Sequence, residues 1–246
     1  MSRSFNGSTD VLNQGIAPLT AGPLTVCGWA WLDSTPAAAT VYALGNNSAS
    51  NPALLLDVVA GKSRLFIRDD AANQFAANGA TAVTTTGWHH FLATVNSAQT
   101  ASVIYLDGVS DGTGGGGTLT TWTLNRAAIG AYTIAGANGN FMPGKIAWIS
   151  AWTAQLVQAE ITSLAKGVSP LRIRPSALVS FSPVGLGSPD PDLMQRTRFT
   201  VTGTTIAANP PVQPPFAGIG GWRGAFKAAA AGTTFLSANL PLLGIG

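Results

Sequence analysis

Short apolar runs separated by turn residues constrain the fold of this chain more than any other feature. Nine of them occur before residue 153: SFNG (4–7), LTVCGWAWL (24–32), TVYALG (40–45), ALLLDVV (53–59), SRLFIR (63–68), GWHHFLATV (87–95), SVIYLDG (102–108), RAAIGAY (126–132) and KIAWISAW (145–152). Such runs are typical of β-strands. The links Gly61-Lys62 and Asp107-Gly108 predict hairpins, so adjacent strands should pair antiparallel. The sequence therefore predicts an all-β sandwich or barrel.

Composition agrees with this fold class. Charged residues make up only 9% of the chain, against about 25% in an average soluble domain. The 29 glycines and 15 prolines provide turns and disfavour helix bundles. One helix is predicted near residues 156–166, because Leu156, Ile161 and Leu164 fall on one side and Gly167 is placed to end it.

Several predicted strands are apolar on both faces. In 145–152, Ile146 and Trp148 oppose Ala147 and Ile149, whereas a strand with one solvated face alternates between apolar and polar side chains. Such strands either lie between two layers or present their outer face to a partner. The sequence leaves both arrangements open.

The last third of the chain changes character. A strand at 177–184 and a β-like piece at 198–206 precede NPPVQPPF (209–216), whose four prolines predict an extended connector. The sequence therefore divides into a domain at 1–208, a connector at 209–216 and a terminal segment at 217–246.

The segment 217–246, termed the arm, is rich in glycine, alanine and leucine and has neither a helical nor an alternating apolar period. We predict an assembly arm that orders only against another chain. The rival interpretation is that it packs back on its own domain as extra strands. The residues expected to make the contacts are Phe216, Trp222, Arg223, Phe226, Phe235, Leu236, Leu240 and Leu242.

Three segments carry a resemblance to a known family. They are SFNGSTDVL (4–12), Trp88-His89-His90 followed by Tyr105-Leu106-Asp107-Gly108, and the strand FMPGKIAWISAW (141–152) that runs into the predicted helix. Over residues 3–184 the chain resembles the concanavalin A-like lectin/glucanase superfamily in its laminin-G-like branch, of the kind found in phage virion proteins. The resemblance implies an antiparallel two-sheet jelly-roll sandwich closed by the terminal strand and the short helix. The family holds glycan-binding modules, enzymes and virion proteins, so the fold does not choose the function.

The sequence lacks the residue patterns of catalysis. Glycoside hydrolysis needs two carboxylates about 5–9.5 Å apart, whereas the single glutamate, Glu160, lies on the predicted helix, and Asp69-Asp70 would point to opposite faces of a strand. His89-His90 are adjacent in the same way and are interpreted as structural. The G-x-G-x-x-G match at 112–117 is predicted to be a loop, because residues 119–124 after it have a β pattern rather than a helical one.

These observations predict a protein that is not an enzyme, with no catalytic, cofactor-binding or metal-binding residues. Cys27, the one cysteine, is expected to be a small buried hydrophobe. Laminin-G-like modules often bind calcium at a loop rim, and the resemblance points to Asn6 and Asp10 as oxygen donors. Ala147 and Trp148, however, stand where family members carry acidic residues.

A glycan site would need an aromatic platform with converging polar groups. Tryptophans at 29, 31, 122, 148 and 152 are available. Trp122, beside the glycine-rich loop, is the one expected to be exposed.

The leading hypothesis is a non-catalytic virion structural protein, a phage capsid decoration or head-fibre protein that assembles through the arm. Low charge and doubly apolar strands are the physical argument, because a free monomer with such surfaces would associate. Expected partners are further copies of the chain and other virion proteins such as the major capsid protein. The alternative is a carbohydrate-binding module that recognises a cell-surface glycan.

Other partners and locations are not expected. The six basic residues after position 170 are too scattered for nucleic acid, and no uncharged apolar run before residue 216 reaches the roughly 18 residues of a membrane span. The first residues lack a secretory signal pattern. The expected location is the virion, after synthesis in the host cytoplasm.

Overall fold

A computed structural model describes residues 1–210 and 212. The strands in this part of the chain are β1 (Ser2–Asn6), β2 (Val11–Gln14), β3 (Leu24–Leu32), β4 (Ala38–Gly45), β5 (Ala53–Val59), β6 (Lys62–Arg68), β7 (Gln74–Ala82), β8 (His89–Val95), β9 (Ala101–Leu106), β10 (Val109–Gly115), β11 (Arg126–Ile129), β12 (Tyr132–Ile134), β13 (Ala137–Gly139), β14 (Pro143–Trp152), β15 (Leu178–Ser182), β16 (Asp190–Asp192), β17 (Thr197–Thr202) and β18 (Thr205–Ala207). Helix α1 (Gln158–Ala165) and a short 3₁₀ turn at Pro170–Arg172 lie between β14 and β15.

Two antiparallel sheets of eight strands each form the sandwich. Sheet A has the order β10-β9-β8-β3-β14-β1-β18, with β15 also paired to β14, and sheet B has the order β16-β17-β2-β11-β4-β5-β6-β7. Strands β12 and β13 form a separate small hairpin. The predicted all-β, two-sheet jelly-roll sandwich with one short helix is confirmed.

The main core lies between the two sheets. On β6, for example, Ser63, Leu65 and Ile67 point inward and are buried, while Arg64 and Phe66 point outward and are partly exposed. This alternation is what a sheet with one buried face requires. It places every second residue of β6 on the outer surface of sheet B.

A second apolar cluster covers part of the outer face of sheet A. Trp148 and Trp152 on β14 lie there with Trp29 of β3, and Ile161 and Leu164 of α1 pack over them. The chain itself therefore provides the second layer over the doubly apolar strand β14. Of the two arrangements that the sequence left open, the structure adopts the layer from its own chain.

Helix α1 lies inside the predicted range and ends as expected. Glu160 accepts a hydrogen bond from the backbone N–H of Val157 at 2.8 Å, which satisfies one of the free donors at the start of the helix. Gly167 follows the helix with a φ of +81°, a left-handed conformation that favours glycine. The helix prediction is confirmed.

The turn chemistry is largely as predicted. Asp107 and Gly108 both have positive φ and join β9 to β10, as a type I′ hairpin requires. The other short link lies one residue earlier than expected, at Ala60-Gly61, because β6 already begins at Lys62.

The expectation that 112–117 is a loop is wrong for most of its length. Residues up to Gly115 belong to β10, and a Cβ at Gly112 or Gly114 would collide with backbone carbonyl groups of β7. The glycines thus let the edges of the two sheets approach closely. The β pattern at 119–124 is also misleading, since this segment forms no strand and fills one end of the main core.

The chain after β15 returns to both sheets. Strand β17 pairs with β2 in sheet B, and β18 pairs with β1 in sheet A. The β-like piece at 198–206 is thus two strands in different sheets. The arm, and the connector apart from residues 209, 210 and 212, lie outside the described residues. No helix within the described part of the chain is long and apolar enough to cross a membrane.

Candidate functional site

The exposure of the tryptophans decides where an aromatic platform can be. Trp29, Trp122, Trp148 and Trp152 are buried, and Trp222 lies outside the described residues. Trp31 and Trp88 are partly exposed and lie next to each other. They are therefore the tryptophans of the described structure that a ligand can reach.

The expectation that Trp122 is exposed is wrong, because its side chain is only 3% exposed and belongs to the main core. The loop that carries it is tied to the turn after β6. Asp69 Oδ2 accepts hydrogen bonds from the backbone N–H and the hydroxyl of Thr120, each at 3.0 Å. Asp70 accepts hydrogen bonds from Thr123 in the same way. These bonds hold the loop over the end of the sandwich and turn Trp122 inward.

Trp31 and Trp88 form one row with Lys145 on the outer face of sheet A. Lys145 on β14 lies directly opposite Trp31 on β3, and Trp88 immediately precedes β8. The two indole rings have centroids 6.4 Å apart and meet edge to face at 75°. Lys145 Nζ lies 5.0 Å from the centroid of the Trp31 ring and 2.9 Å from Asp33 Oδ1. Trp31, Trp88, Lys145 and Asp33 are termed the tryptophan platform.

The layer over sheet A leaves this row partly open. Trp29, two residues before Trp31 on the same face of β3, is buried in the cluster that α1 covers. Trp31 stands near the end of β3 and keeps part of its ring exposed. The platform is therefore the border between the covered and the open parts of this face.

The platform combines two partly exposed indole rings with two polar groups, of which Lys145 lies over the Trp31 ring. The Lys145 and Asp33 side chains are 28% and 50% exposed, so water or a ligand reaches both ends of their ion pair. Exposed pairs of this kind contribute little to stability. Their hydrogen-bonding capacity is thus open to exchange with the hydroxyl groups of a ligand.

The two histidines lie beside the platform and have different environments. His89 Nε2 is 2.8 Å from Thr84 Oγ1, and its Nδ1 is 2.7 Å from Asp107 Oδ2. Burial favours a higher pKa for Asp107, but the hydrogen bonds from His89 and from the backbone N–H of His90 outweigh it and lower that pKa. His90 is buried against Trp29, and burial lowers its pKa to about 4. Its Nδ1 has no hydrogen-bond partner among the described residues.

The carboxylates considered for catalysis have structural partners. Glu160 forms an ion pair with Arg174, with N–O distances of 3.0 and 2.8 Å, on the helix that covers sheet A. Asp69 and Asp70 hold the Trp122 loop. Burial raises the pKa of the Cys27 thiol to about 12 and leaves it protonated at neutral pH.

The calcium ligands that the resemblance implied also serve the local fold. Asn6 Oδ1 accepts hydrogen bonds from the backbone N–H groups of Ser8, Thr9 and Asp10. Asp10 Oδ2 accepts one from the backbone N–H of Asn6 at 3.0 Å. This is turn chemistry. Within residues 1–210 and 212, no three histidine, cysteine or acidic side chains converge on a point that could hold a metal ion.

The predicted assembly residues, from Phe216 to Leu242, lie outside the described residues. The platform was found only in part from the sequence. Trp31 was among the tryptophans considered, but Trp88, Lys145 and Asp33 were not assigned to a ligand. Pairing of β3 with β14 and β8 brings them together, and the chain order carries no direct signal of it.

A family model matches most of the sandwich. The model described as concanavalin A-like lectin/glucanases superfamily covers residues 6–162. A search of curated proteins gives no significant match.

Solved structures share the fold at low identity. A heptameric SAP-like pentraxin from Limulus polyphemus has a TM-score of 0.60 at 15% identity, over 83% of this chain and 93% of that one. A putative carbohydrate binding protein from Bacteroides ovatus has 0.59 at 14%, over 85% and 62%. The CBM40 domain of the Ruminococcus gnavus IT-sialidase, bound to alpha2,3 sialyllactose, has 0.57 at 11%, over 67% and 98%.

Proposed function

Since this chain belongs to the concanavalin A-like lectin/glucanase superfamily, we propose that it is a non-catalytic carbohydrate-binding module whose ligand lies on the tryptophan platform. Two of the similar structures are described as a carbohydrate binding protein and as a domain bound to a sugar. At 11–15% identity this likeness concerns the fold. The proposal therefore depends on the residues of the platform.

The observation that carries the proposal is the adjacency of two partly exposed indoles with a lysine and an aspartate. Pyranose rings have an apolar C–H face, which packs against the flat surface of an aromatic side chain, and hydroxyl groups around their edge. Trp31 and Trp88 each offer a partly exposed ring, and the two rings are nearly perpendicular to each other. Lys145 donates to hydroxyl oxygens, and Asp33 accepts from hydroxyl groups.

The same geometry supports binding without cleavage. Asp33 is the single carboxylate of the platform, and Lys145 holds it at 2.9 Å. Asp107 is occupied by His89 and by the backbone of His90. A glycosidase needs two carboxylates on opposite sides of one bond.

A glycan titration tests the proposal. The full chain, labelled with ¹⁵N, is screened against an array of neutral oligosaccharides, and the best binder is titrated by NMR and calorimetry. We expect shifts of the Trp31 and Trp88 indole N–H signals. The variants Trp88→Leu and Lys145→Gln should weaken binding about tenfold or more, which corresponds to about 1.4 kcal/mol.

Two control variants make the test specific. Lys166→Gln removes the same charge from an exposed lysine at the end of α1, and Phe141→Leu changes a partly exposed aromatic residue that packs on the outer side of the other sheet. Both should bind the neutral glycan as the unchanged protein does. Loss of affinity in the controls, or equal affinity in Trp88→Leu, would refute the assignment.

The virion role stays a prediction of the sequence. Its assembly residues lie outside the described residues, and one of its physical arguments is weakened, because α1 and the neighbouring segments cover the doubly apolar strand β14. A carbohydrate-binding module and an attached assembly arm are compatible in one chain.

A further inference from the structure

The outer face of sheet B carries a second group of exposed side chains, with no contact to the tryptophan platform. On β6 the outward residues include Arg64, Phe66 and Arg68, and on β7 the residues opposite them are Asn78, Ala76 and Gln74. These six residues are termed the β6–β7 patch. An aromatic ring stands at its centre beside a small alanine, and guanidinium and amide groups stand at its four corners.

The two arginines are arranged around the ring. The Cζ atoms of Arg64 and Arg68 lie 5.5 and 5.9 Å from the centroid of Phe66, which is within the range of a cation–π contact. Ala76, opposite Phe66, has no side chain beyond Cβ to cover the ring on that side. Both guanidinium groups lie over the Phe66 ring, and the ring stays partly exposed.

Arg64 and Arg68 differ in whether a carboxylate neutralises their charge. Arg64 donates two hydrogen bonds to the buried carboxylate of Asp57, at 3.0 and 2.6 Å, and Asp57 raises the pKa of Arg64. Arg68 donates to the backbone carbonyl of Ser50 and has no carboxylate partner among the described residues. Its Nε is buried and has no acceptor there, so a ligand reaches this guanidinium through the Nη groups. The patch therefore carries one guanidinium whose charge the described chain leaves uncompensated.

The patch is on the open side of sheet B. The hairpin of β12 and β13 packs on β4, and the Thr133 hydroxyl bonds to Asn13 of β2. This hairpin therefore covers β4 and β2 on the outer face of sheet B and leaves β6 and β7 open. Gln74 and Asn78 on β7 are exposed, and their side chains have no hydrogen-bond partner within residues 1–210 and 212. Both amides are free to bond a ligand.

We infer that the β6–β7 patch binds an acidic oligosaccharide, with a sugar carboxylate paired to Arg68 and a sugar ring against Phe66. A guanidinium presents parallel N–H groups that match the two oxygens of a carboxylate. The amides of Gln74 and Asn78 complement the hydroxyl groups of the sugar. This site goes beyond the proposed function, because it lies on the opposite sheet and selects for charge.

A nucleic acid fits the patch less well. Binding a strand needs several cations along the phosphates and a series of aromatic rings for successive bases. The patch has one aromatic ring and one uncompensated guanidinium. A sugar that carries one carboxylate matches the patch, because the carboxylate pairs with the guanidinium and the sugar ring packs on the aromatic ring.

The experiment uses trigalacturonate and its fully methyl-esterified form with the full-length protein. The two probes share the same sugar chain and differ in charge. We expect trigalacturonate to shift the backbone signals of β6 and β7, with an affinity that falls as salt is raised, and the ester to bind at least about tenfold more weakly. No binding of trigalacturonate at millimolar concentration, or equal binding of the ester, overturns the inference.

Variants locate the site. Arg68→Gln should weaken trigalacturonate binding about tenfold or more, and Arg68→Lys should restore only part of it, because lysine keeps the charge without the fork of N–H groups. Arg198→Gln is the control, since it changes an exposed arginine on β17 of the same sheet. Each variant is first shown to be folded by its thermal melt.

The neutral-glycan titration separates this inference from the proposed function. Arg68→Gln should leave binding at the tryptophan platform unchanged, and Trp88→Leu should leave trigalacturonate binding unchanged. Trigalacturonate binding that persists in Arg68→Gln, or that is lost in Arg198→Gln, refutes the assignment to the β6–β7 patch.

Discussion

The buried imidazole of His90 makes stability depend on pH in a window that can be worked out. His90 lies on β8 against Trp29, with ring centroids 5.3 Å apart. Burial lowers its pKa from 6.5 to about 4, although the nearby Asp107 carboxylate favours the protonated form. In the unfolded chain the same group regains a pKa near 6.5.

The sign follows from which state binds the proton. Between pH 6.5 and 4 the unfolded chain protonates His90 and the folded chain does not, so the free energy of unfolding falls as pH falls. Each pKa unit corresponds to about 1.4 kcal/mol, so the full difference is on the order of 3 kcal/mol by pH 4. This is a large share of the roughly 5–15 kcal/mol by which a domain is stable.

The carboxylates act in a lower window. Burial opposes ionisation of Asp69, Asp107 and Asp111, but their hydrogen bonds outweigh it and lower their pKa values below 3.8. Their stabilisation is present above that pH and is lost as the pH falls through the lower native values. These three carboxylates therefore do not cause a loss of stability between pH 6.5 and 4.5.

Urea unfolding followed by tryptophan fluorescence at pH 7.0, 6.0, 5.0 and 4.5 measures the effect. The unchanged protein should lose stability over this range, and His90→Gln should lose about 2 kcal/mol less between pH 7.0 and 4.5. His89→Gln keeps the buried imidazole of His90 and is the control. Its free energy of unfolding should depend on pH over this range as that of the unchanged protein does. Parallel curves for His90→Gln and the unchanged protein would refute the reasoning.

Four further outcomes are expected. Trp122→Ala should lower the free energy of unfolding by about 3–5 kcal/mol, measured in urea, while leaving neutral-glycan affinity unchanged; reduced affinity in a folded variant would contradict the core placement of this ring. Gly114→Val should destabilise the fold by about 1–3 kcal/mol, because a side chain there meets the backbone of β7, whereas Gly117→Val, at an open position, should have a melting temperature close to that of the unchanged protein. Cys27 should react with a maleimide only in denaturant, and rapid labelling of the native protein in a mass spectrum would argue against its burial. Truncation after Pro215 should leave a folded domain that no longer oligomerises in light scattering; a truncated monomer that unfolds or melts far lower would mean that the arm belongs to its own core.

The elements of the sandwich could be predicted because their signals are local. The short apolar runs, the Asp107-Gly108 turn and the position of Gly167 are properties of a few adjacent residues. They indicated most of the strands, one hairpin and the end of α1 correctly, but β7 was not predicted and most of β10 was predicted to be a loop. The family resemblance added the two-sheet arrangement. Neither the local sequence pattern nor the family resemblance predicted that β17 and β18 pair with different sheets. That pairing depends on contacts between residues that are about two hundred positions apart in the chain.

The candidate site depended on the tertiary structure. Trp122 and Trp88 both stand in β-like sequence contexts, yet Trp122 is buried because Asp69 and Asp70 hold its loop over the core. Trp29 and Trp31 lie on the same face of β3 and differ in burial. Trp29 lies in the cluster that α1 covers, and Trp31 lies outside it. In regular strands such as β6 the sequence by itself determined which side chains alternate between the two faces. On β14 a bulge between Ala147 and Ser150 places Trp148 in the outer cluster together with Ala147. Which of those faces another part of the chain covers was decided only in three dimensions, since burial is a property of what packs against a residue and not of the residue itself.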